Sequence, residues 1–406
     1  MLNRPLPLLK KGLFSLYPRA QPAHRYKVMR VALIHDWLNG MRGGEKVFEV
    51  LCELYPDADV YTLFFEPEKV SPIIRTMNVR EWWLPRLMPV ARRFYRWFLP
   101  ILPHAVESLP IENYDLVIST SHCVAKGVAP DPPTTPHICY CFTPMRYVWD
   151  KYDDYFARRR SLASWVMPIV RSGLQQWDRE SAKRVTHFIA VSEFVRQRIR
   201  EYYLREAMVL HPPVDWAKFA LIERAPTDFY LVVSALEPYK RVDVAIEAFN
   251  RLGLPLKIVG TGTEAAHLQR LAGANIEFLG WVSDSDLAAL YSCARALVFP
   301  TEEDFGIVPL EAMAAGCPVI ALRRGGALET VVEFETGLFF EEQTPEALAE
   351  TVTRFSQYEF DSEHLREHAR QFDRSLFKQR FADLVHRLSR YGSSDRLTAV
   401  SPPSQH

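Results

Sequence analysis

Short apolar runs recur along the chain, separated by longer stretches that mix apolar and polar positions. In the first half the runs are RVALIH (30–35), DVYTLF (59–64), DLVIST (115–120), HICYCF (137–142) and HFIAVS (187–192). In the second they are YLVVSA (230–235), LKIVG (256–260), IEFLG (276–280), ALVFP (296–300) and PVIAL (318–322). Runs this short and this continuously apolar predict strands buried on both faces of a parallel sheet. Between them, EKVFEVLCELY (45–55), VDVAIEAFNRLG (242–253) and SDLAALYSCA (285–294) carry a helical pattern. Strands alternating with helices predict an α/β protein, and five strands in each half predict two doubly wound, Rossmann-like domains.

The double proline in LHPPVDWAKF (210–219) can continue neither a helix nor a central strand, and it marks the boundary. The expected organisation is an extension over 1–28, a first domain over 29–212, a second over 213–372, and a helix over 373–392 that packs back towards the first domain. A polar, breaker-rich tail over 393–406 is expected to be disordered. The extension is basic and apolar but lacks the core of a signal peptide. Because the first strand begins just after Met29, an upstream addition or a misplaced start is the expectation, with a membrane-surface anchor as the rival.

Composition narrows the classes. Of 406 residues, 48% are apolar, which is enough for two cores. Lys and Arg number 49, as do Asp and Glu, so no global attraction to nucleic acid is expected. The six cysteines form no CxxC pair, which fits a reducing, cytoplasmic compartment. No apolar run approaches the roughly 18 residues of a membrane span. The stretch 81–110, however, interleaves Trp82, Trp83, Phe94, Tyr95, Trp97 and Phe98 with Arg86, Arg92, Arg93 and Arg96. Aromatics among arginines suit a bilayer interface, so peripheral membrane contact through 81–104 is expected; a cap packed on the first domain is the alternative.

The candidate chemistry centres on EEDFGIVPLEAMAAG (302–316). Gly306 and Pro309 forbid a helix through its middle, Pro309 suits a first helical turn, and EAMAA is a strong helix former. Glu303 is then in a loop and Glu311 in the first turn, with the amides near Gly306, Ile307 and Val308 forming an anion site. Such a layout could hold a phosphate while two carboxylates grip sugar hydroxyls. The plain alternative is that Glu311 only offsets the helix dipole and Glu303 is solvated. Gly43 and Gly44 open the first helix after the first strand, where a doubly wound fold lets backbone approach a phosphate.

The E-x7-E pattern of EDFGIVPLEAMAAGCPVIA, followed by GG and ET, resembles the donor signature of the family-4 (group 1) retaining glycosyltransferases. SALEPYKRVDVAIEAF, IVGTG and FLGWVSDSDLAALYSCARALVFPT recur in order around it, and the resemblance covers about residues 29 to 390. It implies the GT-B fold, two Rossmann-like domains facing across a cleft. It implies that Glu303 contacts the transferred sugar, Glu311 the nucleotide ribose, and the amides of Phe305 through Val308 the sugar and diphosphate. Lys240, followed by Arg241, is placed at the diphosphate, and Gly43 and Gly44 face the donor. A cation is useful there because the leaving diphosphate gains charge as the glycosidic bond breaks. Phosphate binding by amides and cations needs no metal, and no cofactor is expected.

Two departures from the pattern stand out. Ala235 occupies the place of a common arginine, for which Lys240 and Arg241 could compensate. Phe142 ends the HICYCF strand where many members carry histidine, which makes His122, after the neighbouring strand, a catalytic candidate. Arg146 and Lys126 are weaker candidates. YCFTPMRYVWD, PPVD and PYKRVD are similar to bacterial polysaccharide-assembly transferases, several of them mannosyltransferases. That similarity suggests GDP-mannose as donor and a glycan on a polyprenyl diphosphate as acceptor, at the inner membrane. Alternatives are a non-catalytic GT-B scaffold and a nucleotide-sugar epimerase. GTGTEA (260–265) mimics a dinucleotide fingerprint, and Asp284 and Asp286 mimic a metal-binding DxD, although Ser283 or Asp284 as a helix cap accounts for that pair.

Overall fold

The computed structural model describes residues 29–87, 98–150, 152 and 162–390. The extension, the centre of the aromatic and arginine stretch (Arg92, Arg93, Phe94, Tyr95, Arg96 and Trp97) and the tail lie outside the described residues.

Two parallel sheets are present among the described residues. The first contains β1 (Val31–His35), β2 (Asp59–Thr62), β3 (Asn78–Glu81), β4 (Leu116–Ser121), β5 (His137–Cys141), β6 (His187–Ala190) and β7 (Ala207–Val209), in the order β3-β2-β1-β4-β5-β6-β7. The second contains β8 (Tyr230–Val233), β9 (Leu256–Val259), β10 (Ile276–Gly280), β11 (Leu297–Phe299), β12 (Val319–Leu322) and β13 (Gly337–Phe340), in the order β10-β9-β8-β11-β12-β13. All ten predicted strands are there. Every residue of β1, β4, β5 and β12 is buried, as uniformly apolar runs require when helices cover both faces.

Five strands per half was an undercount. β3, of sequence NVRE, is an exposed edge strand, and β7 is a half-buried edge strand of three residues. β13 is an edge strand of four residues following a turn at Phe334, whose φ is +68°. NVRE is too polar to carry the apolar run by which the others are recognised, whereas AMV and GLFF are apolar and GLFF is fully buried.

The strand order places the functional region. β1 lies between β2 and β4, and β8 between β9 and β11. In each sheet the chain reverses direction of winding there, leaving a crevice at the carboxyl ends of the strands, the usual ligand position in open α/β sheets. The two crevices face each other. The helix Arg374–Arg390 then returns across the helix Gly43–Leu54: Arg374 Nη2 reaches Glu49 at 3.0 Å and Glu53 at 2.8 Å, and Phe377 packs edge-on against Tyr140. Where the chain crosses between sheets it does so twice side by side. Val214 N–H donates to Phe372 O (2.9 Å) and Arg374 N–H to Val214 O (3.1 Å).

Cys139 and Cys141 are both buried on β5, and all six cysteines are unpaired. Among the described residues no helix is long and apolar enough to cross a membrane. Trp82 is buried against the first domain, whereas Trp83 and Leu87 are exposed.

Candidate functional site

A cavity of about 430 Å³ opens between the facing crevices. From the first domain it is lined by Arg42, Gly43, Gly44, Glu45, Lys46, His122, Phe142 and Arg146. From the second come Lys240, Glu303, Phe305, Gly306, Ile307, Val308 and Glu311. Of the thirteen candidates singled out from the sequence, all but Arg241 and Lys126 thus meet in one space.

The glycine pair is a matter of approach distance. A Cβ on Gly43 would sit 3.2 Å from Ile307 Cδ1, and one on Gly44 would sit 3.4 Å from Phe142 Cε2. Helix Gly43–Leu54 starts here, with Glu45 Oε2 accepting from the Arg42 N–H at 3.2 Å. Burial pushes the Glu45 carboxyl up to about 7.

His122 is held by Asp36. The Asp36 carboxylate is fully buried and accepts the backbone N–H groups of His122 (2.7 Å), Cys123 (3.0 Å), Val124 (2.6 Å) and Ala125 (2.7 Å). His122 Nδ1 lies 3.1 Å from its Oδ2, and the ring meets Trp37 edge-on at 4.6 Å. Burial, with Arg146 and Arg42 nearby, lowers the imidazole to about 3, so it is neutral at ordinary pH. With its Nδ1 proton assigned towards Asp36, His122 keeps Nε2 as an acceptor. Phe142, where many members of the resembled family carry a histidine, lines the same cavity with an inert ring.

In the second domain Gly306 adopts φ +95°, a left-handed turn that suits glycine, and the helix Ile307–Ala314 begins directly after it. Glu311 therefore stands at the start of the second turn, not in the first as the sequence suggested. Its role as a simple dipole partner is correspondingly weak. Burial pushes its carboxyl up while Lys46, on the opposite domain at 3.3 Å, opposes that shift; Tyr291 Oη approaches its Oε2 at 3.4 Å. Glu303 is ion-paired with Lys240. The loop that carries it rests on the GG of the signature: Gly326 N–H donates to Glu303 O at 2.8 Å, and a Cβ on Gly326 would come within 2.1 Å of Phe305 Cα.

Arg241 does not join the site. Its backbone is left-handed (φ +51°), and its guanidinium turns away to Asp243 (3.1 Å) and Gln343 (3.2 Å). Lys126 is structural. It is buried, donating to Asp178 O (2.8 Å) and Ser181 Oγ (2.7 Å) and pairing with the Asp178 carboxylate. Ser283 caps the helix Asp284–Cys293, accepting from Asp286 N–H at 3.2 Å, and among the described residues no cluster of His, Cys, Asp and Glu is arranged to hold a metal. In GTGTEA, Cβ atoms on Gly260 and Gly262 would collide with Ser234 O and Leu236 O, so these glycines let two loops touch.

Three cross-domain contacts leave no mark in the sequence. Asp304 bridges to Arg146 (2.8 Å) and Arg198 (2.6 Å) of the first domain. Glu329, in the ET of the signature, accepts the N–H groups of Glu193 (2.8 Å) and Phe194 (3.1 Å) and approaches His211 at 3.0 Å. Lys46 reaches Glu311. Sequence patterns report local neighbours, and these partners stand more than a hundred positions apart.

Two parallel-sheet α/β domains closing on a shared cavity define the GT-B fold. Residues 217–372 match the family model described as Glycosyl transferases group 1, so the group 1 part of the resemblance holds over these residues. An uncharacterized glycosyltransferase of Methanocaldococcus jannaschii is 30% identical over 193 residues, covering 46% of this chain and 54% of that protein. The O-antigen chain mannosyltransferase RfbU of Salmonella typhimurium is 28% identical over 210 residues, covering 45% of this chain and 58% of that protein. The chain thus spans somewhat over half the length of these two relatives. In overall fold it is similar to the Anabaena protein HepE in complex with UDP-glucose, with a TM-score of 0.63 at 16% identity, covering 88% of this chain and 99% of that one.

Proposed function

We propose that the chain is a retaining glycosyltransferase. It takes a hexosyl group from a nucleoside-diphosphate sugar and passes it to a growing glycan carried on a polyprenyl diphosphate. GDP-mannose is the first donor to test, because a similar protein is named a mannosyltransferase. The observation that carries the reading is the meeting of Lys240, Glu303 and Glu311 with the Gly43–Gly44 backbone around one cavity.

In this reading the helix start at Ile307 and the glycine amides receive the diphosphate. Lys240 leaves Glu303 to neutralise the phosphates, freeing the Glu303 carboxylate for sugar hydroxyls. Glu311 takes the ribose in place of Lys46. The acceptor hydroxyl attacks on the face from which the diphosphate departs, and the departing phosphate oxygen takes its proton, so Phe142 costs no essential base. Neutral His122 is placed to accept a hydrogen bond from a substrate hydroxyl. Closing the cleft excludes water and limits donor hydrolysis. Work at the cytoplasmic face of the inner membrane, with 81–104 towards the lipid, belongs to the same proposal.

The test is release of nucleoside diphosphate from labelled GDP-mannose and UDP-glucose, with and without membrane-extracted acceptor. Glu303→Ala is expected to reduce turnover by about 100-fold, the scale of losing one positioned electrostatic contact. Turnover indifferent to Glu303→Ala counts against the assignment.

A further inference from the structure

Asp304 links the loop of Glu303 to the other domain at three points. Its Oδ2 meets Arg146 Nη2 at 2.8 Å, its Oδ1 meets Arg198 Nη1 at 2.6 Å, and its backbone oxygen accepts from Ser192 Oγ at 2.5 Å. Ser192 is itself the cap of the helix Glu193–Tyr203, accepting from Val195 N–H at 3.0 Å. Glu329 adds a second-domain carboxylate to the first two amides of that helix. The start of Glu193–Tyr203 is therefore a dock on which the second domain sits, and the docked segment is the one next to Glu303.

We propose that Asp304 is a positioning residue that registers Glu303 against the first domain, so that cleft closure and the aim of Glu303 are a single event. The inference rests on the donor-site reading above. The physical argument is the shortness of the connection. One peptide unit separates Asp304 from Glu303, and consecutive Cα atoms are about 3.8 Å apart. On the other side, Gly326 holds the Glu303 carbonyl at 2.8 Å. The loop is thus held from the second domain through its backbone and from the first through the Asp304 carboxylate and the Ser192 bond to the Asp304 carbonyl. Release of the carboxylate removes two of the three first-domain contacts and leaves the carbonyl bond. Both arginines are largely buried, with side-chain exposures of 23% for Arg146 and 10% for Arg198, so the pairs are sheltered from the screening that weakens surface ion pairs. The second domain keeps its own donor contacts when the tether is cut. Binding and turnover should therefore separate.

The experiment uses the full chain with GDP-mannose and UDP-glucose as probes. Donor affinity is measured by calorimetry, and donor hydrolysis by release of nucleoside diphosphate. The variants are Asp304→Asn, Asp304→Glu, Arg198→Met and the double variant Asp304→Asn with Arg198→Met. Asp304→Asn is expected to lower turnover by about 10- to 100-fold, the cost of a misplaced reacting group, while donor affinity changes by less than about threefold. Asp304→Asn already breaks the Asp304–Arg198 pair, so the double variant is expected to be no more than about threefold worse in turnover than Asp304→Asn alone, even though Arg198→Met also releases Asp150. Asp304→Glu is expected to recover part of the loss. Affinity falling in step with turnover, or two single losses that multiply, overturns the tether. If the wild type binds neither probe, the donor-site reading falls and takes this inference with it; if it binds and turns over but the variants are unaffected, only the tether falls.

Discussion

Lys46 and Glu311 meet across the cleft at 3.3 Å, a first-domain ammonium against a buried second-domain carboxylate. Each shifts the other: Glu311 raises Lys46, and Lys46 limits the rise that burial imposes on Glu311. Without the lysine, the carboxylate must take a proton or stay charged in a poor solvent. Lys46→Met is therefore expected to destabilise the protein in a pH-dependent way. A carboxyl raised in the folded state favours folding below its unfolded value of 4.5 and loses that contribution as pH rises through the folded value. The penalty should be small at pH 4 and reach about 3 kcal/mol at pH 8, the scale of breaking a buried pair. Urea denaturation of both proteins at the two pH values checks this.

Glu45 gives a second pH signature, in binding. Its carboxyl, raised to about 7 by burial, lines the cavity. As pH rises through that value, a new negative charge appears beside the expected diphosphate. Affinity for UDP-glucose, whose phosphates do not titrate in this range, is expected to weaken by about fivefold between pH 6 and 8, a coupling of roughly 1 kcal/mol. Glu45→Gln should flatten the profile. Calorimetry across the range decides it.

Gly326 tests the support beneath the loop. Its φ of −68° is open to any residue, so alanine there meets a purely steric problem, the Cβ lying within 2.1 Å of Phe305 Cα. Gly326→Ala is expected to cost about 1–3 kcal/mol through overpacking and to weaken donor binding by displacing Glu303 to Phe305. Gly40→Ala, where a Cβ meets nothing within 4 Å, is the control and should leave binding intact. Thermal denaturation with and without UDP-glucose reads both.

His35 and His137 predict acid lability. Burial lowers both to about 3, with His122 adding to the effect on His35 and Lys126 to that on His137. A histidine lowered in the folded state contributes stability above its unfolded value of 6.5 and loses it as pH falls towards the folded value. Between pH 8 and pH 5 each is expected to remove about 2 kcal/mol. Urea denaturation at the two values tests the loss. Imidazole resonances of both residues should show no titration between pH 5 and 8 in the folded protein.

The apolar runs announced ten strands because a strand buried on both faces leaves a contiguous mark in the sequence. NVRE left none because its side chains are mostly polar and half of them exposed, while AMV is apolar but only three residues long. The donor-side residues were legible for a similar reason. Glu303, Gly306 and Glu311 lie in one short segment, where a breaker, a helix former and two carboxylates can be read together. Lys46, Arg198 and Asp304 act only through distant partners, and an isolated charge in a sequence looks like any solvated one. Arg241 misled because its neighbour Lys240 faces the cavity. The left-handed turn at Arg241 sends its side chain to Asp243, two positions on, and nothing local in the sequence marks that turn.

The two crossings at Val214 and Phe372 are hydrogen-bonded to one another rather than spaced apart. Two separated straps would permit the lobes to shear or twist. A single laced seam would work like a door on its jamb, leaving the far lobe one easy rotation once the cross-cleft contacts of Asp304, Glu329 and Lys46 let go. A ligand wedged at the mouth of the opening would then have long leverage over the seam.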